Sequence, residues 1–141
     1  MGNKLKQKNG FTLLEIIIVI IIIGVLAGLA LPRFFKTVET TRATEALRIL
    51  GNTRQAIERC FLISSTYIPC GANDFSGLDI DNANADPQRH WDYAFSNLSA
   101  TTYLITATRN GFDNPGNAAV GTIDINELGQ KVGTGNYVNI R

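Results

Sequence analysis

The sequence predicts an α+β chain: a long N-terminal α-helix, apolar in its first half and amphipathic in its second, packed on a small antiparallel β-sheet head. Three observations predict it. From Phe11 to Pro32 the only charge is Glu15. From Arg33 to about Leu62 apolar residues recur at helical spacing. Beyond Tyr67, short runs alternate apolar with polar residues between clusters of Asn, Asp, Gly and Pro. The 141 residues leave room for one modest domain.

The first ten residues carry Lys4, Lys6 and Lys8. Without them the chain has 10 Lys+Arg against 12 Asp+Glu. A near-neutral body with no basic cluster argues against an electrostatic nucleic-acid surface, and no nucleic-acid partner is expected. The basic N-terminus therefore reads as a targeting feature. The 22 residues from Phe11 to Pro32 would span roughly 30 Å as a helix, the hydrocarbon thickness of a bilayer. Their Ile and Val content favours strand in water. In lipid only a helix satisfies its own backbone, so helix wins. The lysines should stay cytoplasmic and the C-terminal body should lie on the far side.

A secretory signal would place its small-residue cleavage site after the apolar core. Here the candidate processing point, Gly10, lies before it. A cut there would remove the lysines, keep the apolar helix and leave a free amine on Phe11. Glu15 lies one helical turn from that amine. Two readings stand. In an assembly of staggered parallel helices, the Glu15 carboxylate meets the Phe11 amine of a neighbour and sets the register. Alternatively, Glu15 is an interfacial acid that snorkels to the headgroups.

Gly24, Gly28 and Pro32 recur every four residues. Gly24-x-x-x-Gly28 is a spacing that lets helices approach closely, although a low-complexity segment can produce it by chance. Pro32 lacks a donor and crowds the preceding turn, which predicts a kink or local melting between Gly24 and Pro32. Beyond it, apolar residues fall at Val38, Ala43, Ala46, Leu47, Ile49, Leu50, Ala56, Ile57, Cys60 and Phe61, the later ones at the spacing of an amphipathic helix that ends near Leu62. Arg42, Glu45, Arg48, Arg54, Glu58 and Arg59 take other positions.

The head begins at Tyr67. The stretch Gly71–Gln88 is rich in turn residues and reads as a long surface loop. Trp91–Phe95, Thr102–Arg109 and Gly121–Asn126 read as strands. Glu127–Lys131 reads as a tight turn leading to a short strand around Val132–Val138. Three or four antiparallel strands can bury one face on the helix from about Ala43 to Phe61. Cys60 and Cys70 are the only cysteines. Outside the cytoplasm they favour a disulfide over two buried thiols, tying the helix end to the following loop.

Signals for chemistry are sparse. His90, beside Trp91 at a strand start, reads as structural or exposed. No nucleophile, base and orienting group share a recognisable arrangement, so no catalytic residue is assigned. Two cysteines and a distant histidine do not make a metal site. Asp79–Asn84 has calcium-loop character but lacks the glycine and the final glutamate of an EF-hand. No cofactor and no metal are expected. Asn97-Leu98-Ser99 matches a glycosylation acceptor pattern, a short and common one.

The motif G-F-T-L-L-E, Gly10 to Glu15, followed by the apolar run, Pro32 and a polar helix, resembles the N-terminus of type IV pilins and of the related type II secretion pseudopilins. The resemblance covers about residues 1–60. It implies a leader at 1–10, a transmembrane and filament-core helix at 11–35, the amphipathic half of the helix at 36–66 and a head at 67–141. It implies that a prepilin peptidase cuts between Gly10 and Phe11 and that the new Phe11 amine is methylated. It implies that Glu15 guides assembly, and that the segment containing Gly24, Gly28 and Pro32 loosens in the filament. The partners it implies are further copies of the chain in a helical filament, the peptidase, the membrane and the assembly machinery of the inner membrane. The precursor would cross the inner membrane once, with its head outside the cytoplasm. It would end in an extracellular pilus or a periplasmic pseudopilus. Pseudopilins of this size carry an Asp-rich calcium loop near the C-terminus, whereas Gln130–Arg141 has no acid. A further alternative is a low-abundance pilin whose head loop, Gly71–Gln88, contacts DNA, a surface or a partner.

Overall fold

The apolar run and the amphipathic run join into one helix, α1 (Leu13–Ser64). The computed structural model describes residues 10–71, 75–111 and 121–138. The leader lysines, residues 72–74 of the head loop, residues 112–120 and the last three residues lie outside the described residues. By contacts the chain divides into two units, Met1–Glu39 and Thr40–Arg141.

In the first unit every large apolar side chain from Phe11 to Phe35 is exposed. A helix that is apolar on all sides needs apolar surroundings to be stable. Among the described residues α1 is the one helix long and apolar enough to cross a membrane. It runs unbroken through Gly24, Gly28 and Pro32. The missing N–H of Pro32 leaves only the Gly28 carbonyl without its helical donor, and the turns on either side keep theirs. The proline ring crowds that same carbonyl, and Gly28 has no side chain to hinder adjustment.

In the second unit α1 buries Ala43, Ala46, Leu50, Thr53, Ala56 and Ile57. Ala43, Ala46, Leu50 and Ile57 share one core with the inward side chains of the strands. Thr53 is polar yet satisfied, because its hydroxyl donates to the Ile49 carbonyl at 2.8 Å. The helix ends on Ser65, whose φ is 57° and whose N–H donates to the Phe61 carbonyl at 2.7 Å. That is a left-handed cap made by serine where glycine is usual.

Four antiparallel strands form the sheet in the order β1-β2-β3-β4: β1 (Trp91–Ser96), β2 (Leu104–Arg109), β3 (Thr122–Asn126) and β4 (Lys131–Gly133). The registers pair Trp91 with Arg109, Phe95 with Ile105 and Ile105 with Ile125. Alternation puts Trp91, Tyr93, Phe95, Ile105, Ala107, Ile123 and Ile125 inside, the period-two pattern the sequence carries. The last strand is a correction. It stops at Gly133, and Gly135–Tyr137 forms a 3-10 turn. The turn brings the Tyr137 ring to 5.0 Å from Trp91. A continued strand would have left that aromatic surface uncovered.

Candidate functional site

The site begins before the helix does. Gly10, Phe11 and Thr12 are not helical, and α1 starts at Leu13. Thr12 is its N-cap. The Thr12 carbonyl accepts from Ile16 N–H at 3.3 Å, and Thr12 Oγ1 accepts from Glu15 N–H at 3.2 Å. In return Thr12 N–H donates to Glu15 Oε2 at 3.4 Å. This is a capping box. A carboxylate in the first turn also faces the positive end of the helix dipole. Glu15 thus caps its own helix, a role that reading it as an intramembrane acid misses. The T-x-x-E spacing carries that signal in the sequence.

Phe11 is 81% exposed, and Gly10 is exposed beside it. A Cβ added at Gly24 or Gly28 would meet nothing within 4 Å, so both glycines present bare backbone along the apolar half. No contact within the chain brings Glu15 to the two glycines or to Pro32.

At the other end of α1, Cys60 and Cys70 form a disulfide with Cα atoms 5.9 Å apart. The bridge sits beside a tyrosine cluster that sequence reasoning misses. Glu58 accepts the Tyr103 hydroxyl at 2.9 Å and the Tyr67 hydroxyl at 3.1 Å. Burial, then the hydrogen bond to Glu58, pushes both phenols above their ordinary range. Burial, with the Glu45 charge adding to it, raises Tyr93 as well.

The described part of the head loop is pinned down, more so than a surface loop would be. Phe75 is buried, its ring 5.1 Å from Phe95. Arg59 holds Asp79 through two bonds of 2.8 and 2.7 Å; both side chains are about half exposed, so the pair contributes little. The Asn84 amide donates to the Tyr93 carbonyl at 2.7 Å and accepts its N–H at 2.9 Å. One side chain thereby takes the place of a neighbouring strand on the free edge of β1.

His90 is partly exposed, immediately before β1. Its Nδ1 lies 3.4 Å from Glu45 Oε2, and its carbonyl accepts Arg109 Nη1 at 2.9 Å and Asn110 N–H at 3.1 Å. Arg109 is almost fully buried; alternation along β2 puts it on the inner face with Ile105 and Ala107, although its charge alone would place it outside. Among the described residues no group of three His, Cys, Asp or Glu could hold a metal ion.

Two family models match the chain. One, described as type IV minor pilin ComP, DNA uptake sequence receptor, matches residues 32–118. The other, the prokaryotic N-terminal methylation motif, matches residues 5–31. A probable minor fimbrial protein of Dichelobacter nodosus is 32% identical over 114 residues, 79% of this chain and 65% of that protein. The chain therefore spans less than two thirds of that relative's length. Fimbrial protein EcpC of Eikenella corrodens is 41% identical over 58 residues, 40% of this chain and 38% of that protein. The crystal structure of the Neisseria meningitidis non-core minor pilin PilV superposes with a TM-score of 0.49 at 19% identity, covering 67% of this chain and 85% of that one. That likeness is too loose to define a shared geometry.

Proposed function

Because the chain belongs to the family described as type IV minor pilin ComP, DNA uptake sequence receptor, we propose that it is a minor structural subunit of a type IV pilus. The observation that carries this reading is the apolar half of α1, exposed on every side, preceded by Gly10 and Phe11 and carrying Glu15 in its first turn. Such a helix is stable in a bilayer or among copies of similar helices, and a filament core supplies the second.

The precursor inserts in the inner membrane with its lysines in the cytoplasm and its head outside. A prepilin peptidase cuts between Gly10 and Phe11, and the Phe11 amine is methylated. The subunit then enters the filament, where Glu15 exchanges its capping bond for the Phe11 amine of a neighbour. Gly24 and Gly28 admit close helix contacts, and the segment to Pro32 loosens as the subunit leaves the membrane. The chain acts without catalysis of its own. The absence of acid from Gln130–Arg141 and the minor fimbrial relative favour a pilus over a pseudopilus.

The test is mass spectrometry of the N-terminal peptide from sheared surface filaments and from membranes. A methylated Phe11 terminus in the sheared material, well below the major subunit in amount, supports the reading. The same terminus confined to membranes points to a pseudopilus. An uncut N-terminus in both fractions overturns processing at Gly10.

A second reading follows from the family description, which names a DNA uptake sequence receptor and matches much of the head. In it the head binds duplex DNA. The near-neutral charge of the body opposes it. Binding of the purified protein to duplex DNA across a salt series decides: phosphate contacts give affinity that falls steeply with salt, and no binding at low salt removes the reading.

A further inference from the structure

We propose that Thr12 is a positioning residue for removal of the leader: by capping α1 it holds the Gly10–Phe11 bond outside the helix, in reach of the peptidase. The inference rests on the processing step proposed above.

Hydrolysis of that amide puts the oxygen of water on Gly10, which leaves as a carboxylate. Both protons of the water go to the nitrogen of Phe11, which becomes an ammonium. A peptidase needs the bond exposed as extended chain. Inside a helix the Gly10 carbonyl and the Phe11 N–H would be drawn into intrahelical bonds and flanked by the side chains of adjacent turns.

Next to an apolar medium a helix tends to lengthen, because each unmatched backbone group is costly there. Something must stop α1 from growing backwards through Phe11. Thr12 does so with three groups: its carbonyl takes the first helical bond from Ile16, its hydroxyl takes Glu15 N–H, and its own N–H is held by the Glu15 carboxylate. That last bond takes up the N–H that helix growth would redirect. Phe11 and Gly10 are left non-helical and exposed. Glu15 accordingly has two successive partners, the Thr12 N–H in the precursor and an amine in the filament.

The experiment follows leader removal from the full-length precursor in membranes containing a prepilin peptidase. It compares wild type with Thr12→Val, Thr12→Ser and Thr12→Asn. Valine keeps the shape of threonine but cannot accept a bond, whereas serine and asparagine both cap. The expected result is a rate about fivefold lower for Thr12→Val, equivalent to about 1 kcal/mol at 1.4 kcal/mol per tenfold. Thr12→Ser and Thr12→Asn should stay near wild type. Carbon chemical shifts of labelled Gly10 and Phe11 in micelles should move toward helical values only in Thr12→Val. A wild-type rate for Thr12→Val overturns the inference. So does a fast Thr12→Ser beside a Thr12→Asn as slow as Thr12→Val, which would mean that the peptidase reads the hydroxyl itself. A wild-type precursor cut elsewhere or not at all overturns the processing reading, whatever the order of the variants.

Discussion

Glu58 on α1 accepts the hydroxyl of Tyr103 at 2.9 Å across 45 positions of sequence, and its second oxygen takes the Tyr67 hydroxyl. One carboxylate therefore ties the helix both to the chain entering β2 and to the loop that the disulfide closes. A hydrogen bond to a charged group contributes about 1.5–3 kcal/mol. Tyr103→Phe should lower stability by about 2 kcal/mol on that scale. Glu58→Ala should cost at least as much, because it strands two phenols. Thermal unfolding of the full chain in detergent checks both, and equal melting of Tyr103→Phe and wild type would show the bond to be idle.

The raised tyrosines fix the sign of an alkaline effect. Tyr67, Tyr93 and Tyr103 titrate above their unfolded range in the folded chain. Each then contributes stability that is fully present below about pH 10, the unfolded value, and is lost as pH rises through the folded value. Denaturant titrations should show stability falling above about pH 10, with a slope approaching about 1.4 kcal/mol per pH unit for each of Tyr93 and Tyr103. Tyr93→Phe should flatten the slope by one group.

The Cys60–Cys70 bridge closes a loop with a sequence separation of 10. Loop entropy puts its contribution at about 2.5 kcal/mol. A Cys60→Ser, Cys70→Ser double variant should unfold at correspondingly lower denaturant. A midpoint equal to that of the oxidised protein would mean that the aromatic contact of Phe61 with Tyr67, 4.4 Å between centroids, already holds this end.

Gly133 ends β4 where an added Cβ would strike the Tyr137 carbonyl. Gly133→Ala should therefore displace the 3-10 turn and uncover Trp91, costing about 2 kcal/mol in the range of overpacking. Tryptophan fluorescence should shift to the red in step. An unchanged spectrum would show that the turn can yield without uncovering the ring.

Ser65 caps α1 at a φ of 57°, a conformation that costs a residue with a side chain roughly 1 kcal/mol and costs glycine nothing. Ser65→Gly should raise stability by about 0.5 kcal/mol after the greater flexibility of glycine in the unfolded chain is counted. A lower melting temperature would show that the serine hydroxyl contributes more than the strain costs.

Much of this protein is local, and local order is legible in a sequence. The helix follows from its apolar run and its i, i+3, i+4 spacing. β1, β2 and β3 follow from alternation, and only the two cysteines can pair. The Thr12–Glu15 box is legible too, because its residues lie three apart within one turn. What the tertiary structure alone decided lies between distant segments. Glu58 finds Tyr103, Trp91 Nε1 donates to the Arg42 carbonyl at 3.0 Å, Asn84 covers the edge of β1, and Tyr137 folds over Trp91 and so cuts β4 short. Periodicity states which face of an element is apolar. It does not state which buried polar atom will meet which, because that pairing depends on where packing brings two elements together.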